Sequence, residues 1–312
     1  MASSGTFFTE TLATWDDWCR LFTSKEAFGP LSDAIYEREG LPPAPLESCT
    51  PGTNAVFKKG AYVVKIFIPN TGELRFTTDF GKELSALRRA EAAGVRTARP
   101  LAWGEMADKY TFPYMIMEWV PGPEAGMVFA RLTPAGKARW VAEMKENLRR
   151  INTPARSDGG EFLRKQSREN ERWKAFRPNV RREIRRRVES MDYSDMVYVH
   201  GDLTNDNVLV TPEGLCILDF ADSCAAPAYY EYPPLLLSLF QADPEMFRLF
   251  AAGYPGGEGE VLEDLYSGIL IHDFGGGILR DCYRQACGKE AYEQESLRGM
   301  LETVGGMLTQ TS

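Results

Sequence analysis

The segment from Val197 to Ser223 constrains the fold of this chain more than any other part of its sequence. It opens with three residues typical of a strand and continues as His200-Gly201-Asp202-Leu203-Thr204-Asn205-Asp206-Asn207. Two short apolar runs follow, joined by Thr211-Pro212-Glu213-Gly214, and Pro and Gly at these positions predict a type I turn within a hairpin. The hairpin would return Asp219, which follows its second strand, to the neighbourhood of Asn207.

The spacing of these polar residues suits phosphoryl transfer. The segment fits the pattern His-x-Asp-x-x-x-x-Asn of a kinase catalytic loop. Asp202 would accept or orient the proton of an acceptor hydroxyl, and Asn207 and Asp219 would offer the hard oxygen ligands that suit Mg²⁺. We expect His200 to fix the loop rather than to act as a base. The alternative is a surface hairpin rich in Asp and Asn.

Composition places the 312-residue chain among ordinary globular proteins of one large or two modest domains, since 44% of its residues are hydrophobic and 26% are charged. No apolar run approaches the length of a membrane span and no signal-peptide pattern opens the sequence, so we expect a cytoplasmic protein with no membrane partner. Six scattered cysteines without a C-x-x-C pair and only two histidines argue against structural zinc and a disulfide framework.

Charge is unevenly distributed along the chain. The net charge is −8, but residues 201–312 carry 18 acidic against 5 basic side chains, a balance of −13. This acidity either promotes solubility or creates a field that attracts cationic substrates. Residues 161–190 carry 11 basic against 5 acidic side chains. A nucleic-acid patch is possible there, but a solvated helix face is favoured because the rest of the chain is strongly acidic, so no nucleic-acid partner is expected.

The N-terminal part predicts two helices followed by strands. Thr14 is the predicted N-cap of a short helix, and a second helix is predicted at about 31–39 before a proline cluster ends it. We expect this leader to pack on the domain that follows. Strands are then predicted at 55–58 and 61–68. The turn before the first strand contains Gly52. In a kinase, the loop whose backbone covers the nucleotide phosphates lies at this place, and the alternative is an ordinary hairpin turn.

Lys65 lies among apolar neighbours on the second of these strands and therefore requires a partner anion. A helix capped by Thr78 or Asp79 is predicted to run to about residue 93. Glu83 in its first turn is the candidate partner, although acidic residues are favoured near any helix N-terminus.

Further strands are predicted at 100–104 and 113–120. The second breaks at Pro121-Gly122, where an adenine could bind to exposed backbone, or where a buried strand simply meets a turn. Thr133 and Pro134 then begin a helix.

The last third of the chain is predicted to be helical, with segments at about 235–240, 244–252, 260–287 and 290–308. Asp273-Phe274-Gly275 spells a kinase metal motif, but it is predicted to lie inside the 260–287 helix, which excludes that role. Glu263, Asp264 and Asp273 could line an acceptor pocket, or each could be a surface acid.

Together these motifs resemble the aminoglycoside phosphotransferase and choline kinase superfamily over roughly residues 52–240. The resemblance implies an α+β, two-lobed protein-kinase-like fold. After the leader at 1–45, a small nucleotide-binding lobe with an antiparallel sheet would span 46–120. A larger, mainly helical lobe with the catalytic loop and the acceptor site would span 121–312, with nucleotide held between the two.

The resemblance also implies the roles of individual residues. Asp202 would be catalytic, and Asn207 and Asp219 would bind the metal. Where the family often has an Asp after the metal segment, this chain offers Glu231, which with Asp222 joins the acceptor-site candidates. The residues implied in nucleotide binding, including Met117 behind the adenine, are Gly52, Thr53, Asn54, Lys65, Glu83, Met117, Glu118 and Val120.

The implied activity is transfer of a phosphoryl group from ATP or GTP, with Mg²⁺, to a hydroxyl of a small cationic molecule such as an aminoglycoside or amino alcohol. Antibiotic resistance would be one consequence. Kinases of neutral sugars or nucleosides remain alternatives. The Leu203-Thr204 step also resembles small atypical protein kinases associated with tRNA modification. A nucleotide-binding pseudokinase that acts as an interaction module is disfavoured. Such a protein has no chemical need to retain all five of the polar residues Lys65, Glu83, Asp202, Asn207 and Asp219.

Overall fold

The computed structural model describes residues 6–74, 80–156, 158, 160–288 and 293–310, which form two compact units. The first unit extends to Pro121 apart from residues 93–95, and the second comprises those three residues and the chain from Gly122 onwards. In the described ranges, no helix has both the length and the apolar character needed to cross a membrane.

The first unit is built on an antiparallel sheet in the order β1-β2-β3-β5-β4. The strand β5, which pairs with β3 and β4, has six consecutive buried residues, 112–117, because side chains on both of its faces are covered. The strands are β1 (Leu46–Ser48), β2 (Ala55–Lys59), β3 (Tyr62–Ile66), β4 (Pro100–Ala107) and β5 (Thr111–Glu118).

Two leader helices, α1 (Trp15–Leu21) and α2 (Lys25–Arg38), pack against this sheet. Thr14 caps α1 through a capping box, as the sequence predicts. The helix α2 begins six residues before the predicted start, because Ser24 caps it and Pro30 is tolerated inside it. Its apolar stripe continues through the proline, so burial of aromatic and aliphatic side chains offsets the lost hydrogen bond.

The helix α3 (Phe80–Ala92) carries Glu83 in its first turn, as predicted. The two residues proposed as its cap, Thr78 and Asp79, lie outside the described residues. A single 3₁₀ turn, Gly72–Leu74, precedes this helix along the chain.

The second unit is mainly helical and holds two short antiparallel strand pairs. Its strands are β6 (Val197–Val199), β7 (Val208–Thr211), β8 (Gly214–Ile217) and β9 (Cys224–Ala226), and β6 pairs with β9 while β7 pairs with β8. Its helices are α4 (Ala125–Val128), α5 (Pro134–Ile151), α6 (Glu161–Glu169), α7 (Pro178–Ser190), α8 (Pro244–Ala251), α9 (Gly257–Ile271), α10 (Gly275–Cys287) and α11 (Leu297–Thr309). Shorter 3₁₀ turns occupy Phe129–Arg131, Glu171–Ala175 and Ala228–Glu231, and Pro233–Leu239 is a π-helix.

The prediction of a single helix over residues 260–287 is wrong. The helix α9 ends at Ile271 and α10 begins at Gly275, so Asp273 and Phe274 lie in a break between two helices. At the break, the Nδ1 of the buried His272 ring accepts the backbone N–H of Phe274 at 3.1 Å in place of a helical carbonyl. The predicted helix start at Glu290 lies outside the described residues, and α11 begins at Leu297 under a Ser296 cap.

Gly275 makes the sharp step from α9 to α10 possible. A Cβ atom added to Gly275 would lie 1.8 Å from the backbone oxygen of Ile269, which cannot move without disturbing α9. A Cβ atom added to Gly277, two residues further along α10, would meet only the Arg172 side chain at 3.9 Å.

We therefore expect Gly275→Ala to lower the free energy of unfolding by about 3 kcal/mol, the upper range for forcing an atom into a packed site. Gly277→Ala is the matched control and should be neutral or stabilising by up to about 1 kcal/mol, because alanine favours the helix. Urea denaturation of both variants gives the comparison. Equal stability of the two would contradict the close approach at Gly275.

Candidate active site

The loop after β6 is shaped by a close approach of two backbone segments. Gly201 has φ of 87°, a conformation that side chains rarely adopt. A Cβ atom on it would lie 2.5 Å from the backbone oxygen of Asp222. Only glycine fits at this position, and the approach brings Asp222 next to the residue that precedes Asp202.

Asp202 and Asn207 are joined directly within this loop. The Asn207 side-chain Nδ2 donates to the Asp202 backbone oxygen at 2.9 Å and to its carboxylate Oδ2 at 2.8 Å. Both amide hydrogens are therefore used to hold Asp202, and the Asn207 Oδ1 is the atom left to accept or to coordinate.

The β7-β8 hairpin returns the chain to the same place. The backbone N–H of Leu218 donates to the Asn207 carbonyl at 2.8 Å, and Asp219 follows immediately with φ of 54°. A positive φ at a residue other than glycine is uncommon and occurs often at functional sites. The structure thus brings Asp202, Asn207 and Asp219 together from positions that span 18 residues.

His200 is fully buried and links the loop to the hairpin. Its Nε2 lies 2.8 Å from the Leu218 backbone oxygen, and its Nδ1 accepts the backbone N–H of Asp202 at 3.1 Å. Burial lowers the pKa of the ring to about 4, so the imidazole is neutral at physiological pH. This is the geometry of a ring that fixes Asp202 rather than one that takes a proton from a substrate.

Carboxylates crowd around Asp202. Burial, followed by the charges of Asp222 and Asp219, raises the pKa of Asp202 to about 7, although its hydrogen bond from Asn207 acts in the opposite direction. Asp206 adds a smaller effect of the same sign as the other two aspartates. A cation placed among these carboxylates would relieve their repulsion.

Glu231 is not available to an acceptor, which corrects its place among the acceptor-site candidates. It is fully buried, and its two carboxylate oxygens accept the backbone N–H groups of His200 and Gly201, the second at 3.1 Å. Burial raises the pKa of Glu231 to about 7. Its contribution is to hold the loop that carries Asp202, and nothing in the local sequence pattern indicates this contact between positions 30 residues apart.

The other acceptor-site candidates occupy different surroundings. Glu263 and Asp264 are adjacent on α9, so their side chains diverge around the helix. Glu263 lines a depression with Arg298, whereas burial and Glu260 raise the pKa of Asp264 to about 6. Two candidates remain near the loop that carries Asp202: Asp222, whose backbone lies against Gly201, and Asp273, which follows His272. Asp273 forms an ion pair with Arg172 at 3.1 Å.

The first unit contains a buried ion pair. The Lys65 Nζ lies 2.8 Å from a carboxylate oxygen of Glu83, and the two side chains are only 3% and 1% exposed. Burying two charges is costly unless they are well paired, so this pair is a specific feature of the unit rather than a surface accident. Lys65 lies on β3 between the partner strands β2 and β5, opposite Val56 and Met115.

The leader helix α1 supports the loop that contains Gly52, Thr53 and Asn54. The fully buried indole of Trp18 donates its Nε1–H to the backbone oxygen of Thr53 at 2.8 Å, and the neighbouring Asn54 is buried. From the sequence we expect only that this leader packs on the domain that follows, so the contact of Trp18 with Thr53 is not predicted. The signal that could have found it is the aromatic pair Trp15 and Trp18, of which only Trp18 faces inward.

The end of β5 carries the residues expected to meet an adenine. Met117 and Val120 are buried, and the backbone N–H of Glu118 donates to the Arg99 carbonyl at 2.9 Å. The backbone N–H of Trp119 donates to the Ala61 carbonyl at 3.3 Å. Among the described residues, no backbone carbonyl accepts the N–H of Val120, which suits the role expected of it.

Comparison with known proteins identifies this arrangement. Residues 53–264 match the sequence model of the phosphotransferase enzyme family, APH. The chain belongs to this family. It is a phosphotransferase, as the resemblance implied, and no curated protein matches it.

Solved structures similar to the chain show the same fold. The GDP complex of an aminoglycoside 2′-phosphotransferase-IIIa mutant has a TM-score of 0.56 at 16% identity, covering 88% of this chain and 96% of the other. A ternary complex of a thermostable APH(4)-Ia variant with AMP-PNP and hygromycin B has a TM-score of 0.56 at 14% identity, covering 90% and 99%. An amicoumacin kinase in complex with AMP-PNP, Ca²⁺ and Ami has a TM-score of 0.52 at 14% identity, covering 88% and 92%. The predicted fold class and superfamily are confirmed.

The raised pKa of Asp202 predicts a stability cost with a definite pH dependence. An aspartate in an unfolded chain has a pKa near ~3.9, so between pH ~4 and pH ~7 the folded protein binds more protons at this site than the unfolded chain. The free energy of unfolding must therefore fall as pH rises through this window.

Asp202→Asn removes the titration while its side-chain oxygen can still accept from Asn207. We expect the variant to match the wild type near pH 4 and to exceed it above pH 7, by about 1.4 kcal/mol for each unit of the removed pKa shift. Denaturant unfolding at several pH values measures the difference, with Asp195→Asn at an exposed position as the control. A difference that does not change with pH would contradict the charge crowding.

Proposed function

We propose that the protein transfers the γ-phosphoryl group of ATP or GTP, with Mg²⁺, to a hydroxyl of a small cationic acceptor. The observation that carries the proposal is the joint placement of Asp202, Asn207 and Asp219, with the Asn207 amide nitrogen committed to Asp202. A carboxylate for the acceptor hydroxyl and an amide and carboxylate oxygen for a metal are the groups that this chemistry requires.

The donor atoms of the loop fit Mg²⁺. The Asn207 Oδ1 and the Asp219 carboxylate are hard oxygen donors, and Mg²⁺ is commonly held by one or two protein oxygens together with phosphate and water. When bound, the ion would neutralise charge on the phosphates during transfer. The crowding of carboxylates around Asp202 independently favours a cation at this place.

The buried Lys65 of the first unit would contact nucleotide phosphates, and Glu83 would orient it. The loop held by Trp18 supports a role in covering phosphates with the backbone of Gly52, Thr53 and Asn54. Complexes of the similar structures with GDP and AMP-PNP add support for nucleotide use.

Asp202 would receive the proton of the acceptor hydroxyl. Its Oδ2 is held by Asn207, which leaves Oδ1 to face the hydroxyl. A pKa near that of neutral solution gives a carboxylate basic enough to take the proton and still ionised in a useful fraction. The protonated acid then returns the proton to solvent after the phosphoryl group has moved.

A cationic acceptor is supported by charge. The segment 201–312 has a balance of −13, and clustered carboxylates raise the local concentration of a cation. The similar structures include complexes with hygromycin B and with gentamicin, which is consistent with an amine-bearing acceptor. A kinase of neutral sugars or nucleosides and an atypical protein kinase are the alternatives that an acceptor screen tests.

The roles of the two aspartates predict different defects. Asp202→Ala should lower turnover by about two orders of magnitude and leave nucleotide binding largely intact, as expected for loss of a positioned base. Asp219→Ala should weaken binding of the magnesium nucleotide. Calorimetry and steady-state kinetics on both variants, with Asp195→Ala as a surface control, separate these effects. Unchanged turnover in Asp202→Ala would remove that residue from the mechanism.

The acceptor class is tested by nucleotide consumption with aminoglycosides, choline-like amines, neutral sugars, nucleosides and generic protein substrates, each with ATP and with GTP. We expect turnover with a cationic acceptor and a KM for it that rises with salt, since screening weakens attraction to carboxylates. Asp222→Asn should also raise that KM, whereas Glu263→Gln should not. Turnover confined to neutral sugars, or phosphate found only on protein, would reject the cationic acceptor and leave the kinase assignment intact.

A further inference from the structure

A cavity of about 230 Å³ lies within the second unit, apart from the loop that carries Asp202. Its walls come from α6, the 3₁₀ turn 171–175 and α7, and none of its lining residues belongs to the segment 197–223. Pockets for drug-sized ligands measure roughly 300–1,000 Å³, so this cavity suits a small ligand or a single functional group.

Three residues that line this cavity each have a buried polar atom without a hydrogen-bond partner among the described residues: Ser167 Oγ, Trp173 Nε1 and Arg181 Nε. The side chains of Ser167 and Trp173 are only 5% and 4% exposed. Buried polar atoms in folded proteins nearly always have a partner. Trp Nε1 and Arg Nε can only donate, so the missing partner is a hydrogen-bond acceptor.

The charged residues around the cavity indicate that the acceptor is an anion. Arg168 and Lys174 are paired with glutamates, Lys174 with Glu171 of the cavity wall. Arg181 and Arg185 lie one turn apart on α7, and within the described part of the chain neither forms an ion pair. Glu169 is the one further acid in the wall. The cavity therefore has two uncommitted guanidinium groups against one remaining carboxylate.

We propose that this cavity binds a phosphate group, either as inorganic phosphate or as part of a small phosphomonoester. A phosphate carries enough acceptor oxygens to satisfy the Ser167 hydroxyl, the Trp173 indole and the Arg181 guanidinium together. Guanidinium groups match phosphate oxygens in geometry and in charge. The site is independent of the proposed kinase reaction, because it involves none of the residues assigned to nucleotide, metal or acceptor.

The chain supplies a matched pair of variants to test the site. Arg181→Gln with Arg185→Gln removes the two cavity guanidinium groups. Arg182→Gln with Arg186→Gln removes the same charge from the same helix at two exposed positions outside the cavity wall. Calorimetric titration with inorganic phosphate, at constant ionic strength, should show binding to the wild type that falls at least ~10-fold in the first variant and stays within about 2-fold in the second.

Trp173→Phe keeps an aromatic ring in place and removes only the Nε1–H donor, so it should weaken phosphate binding several-fold with little effect on the fold. Circular dichroism and thermal unfolding of each variant establish that it is folded. Should the double arginine variant fail to fold, the Trp173 variant still decides the proposal. Parallel titrations with glycerol 1-phosphate distinguish a phosphomonoester from the free ion, and acetate reports on carboxylates.

Tighter binding of glycerol 1-phosphate than of inorganic phosphate would identify a phosphorylated small molecule as the ligand class, and the reverse would identify the free ion. The proposal is overturned if the wild type binds neither, if acetate binds as tightly as phosphate, or if the exposed arginine pair weakens binding as much as the cavity pair. Loss of kinase turnover is not part of the test, so failure here leaves the proposed function standing.

Discussion

The position of Asp202 depends on buried polar side chains that form hydrogen bonds with the backbone of its loop. Glu231 accepts the backbone N–H groups of His200 and Gly201. The two histidines add further contacts: the His200 ring contacts the Leu218 carbonyl, and the His272 Nε2 lies 2.9 Å from the Gly201 carbonyl. Burial lowers the pKa of both rings to about 4, so the rings stay neutral and act as fixed donors and acceptors. The break between α9 and α10 exists where His272 must reach the loop.

This rigid support allows a crowding of charge that the fold would otherwise avoid. The charges of Asp222 and Asp219 act on Asp202 in a partly buried place, and the contacts of the loop keep Asp202 there. A carboxylate poised near neutrality and a preference for a cation both follow from that one arrangement.

The sequence predicted the parts of the site that are local. The spacing from Asp202 to Asn207 and the hairpin to Asp219 lie within one short segment, so turn chemistry sufficed, and helix α3 with Glu83 followed from its pattern. Contacts made by distant residues were not predictable. Glu231 reaches back 31 residues to His200, and Trp18 reaches forward 35 to Thr53, while the α9–α10 break arises from a tertiary contact that helical periodicity cannot express.

The basic run at 161–190 also shows that sequence patterns cannot predict which neighbours a side chain will meet in the folded protein. A count of charges favoured a solvated helix face, and for several members this is what the structure contains: Arg168 pairs with Glu161 and Glu189, and Arg187 pairs with Glu183. The count could not distinguish these from Arg181 and Arg185, which differ only in facing a cavity rather than a glutamate. Buried polar atoms nearly always have a partner, so the Trp173 Nε1 and Arg181 Nε atoms, which have none among the described residues, support the proposed phosphate site, whereas a solvent-exposed arginine requires only water.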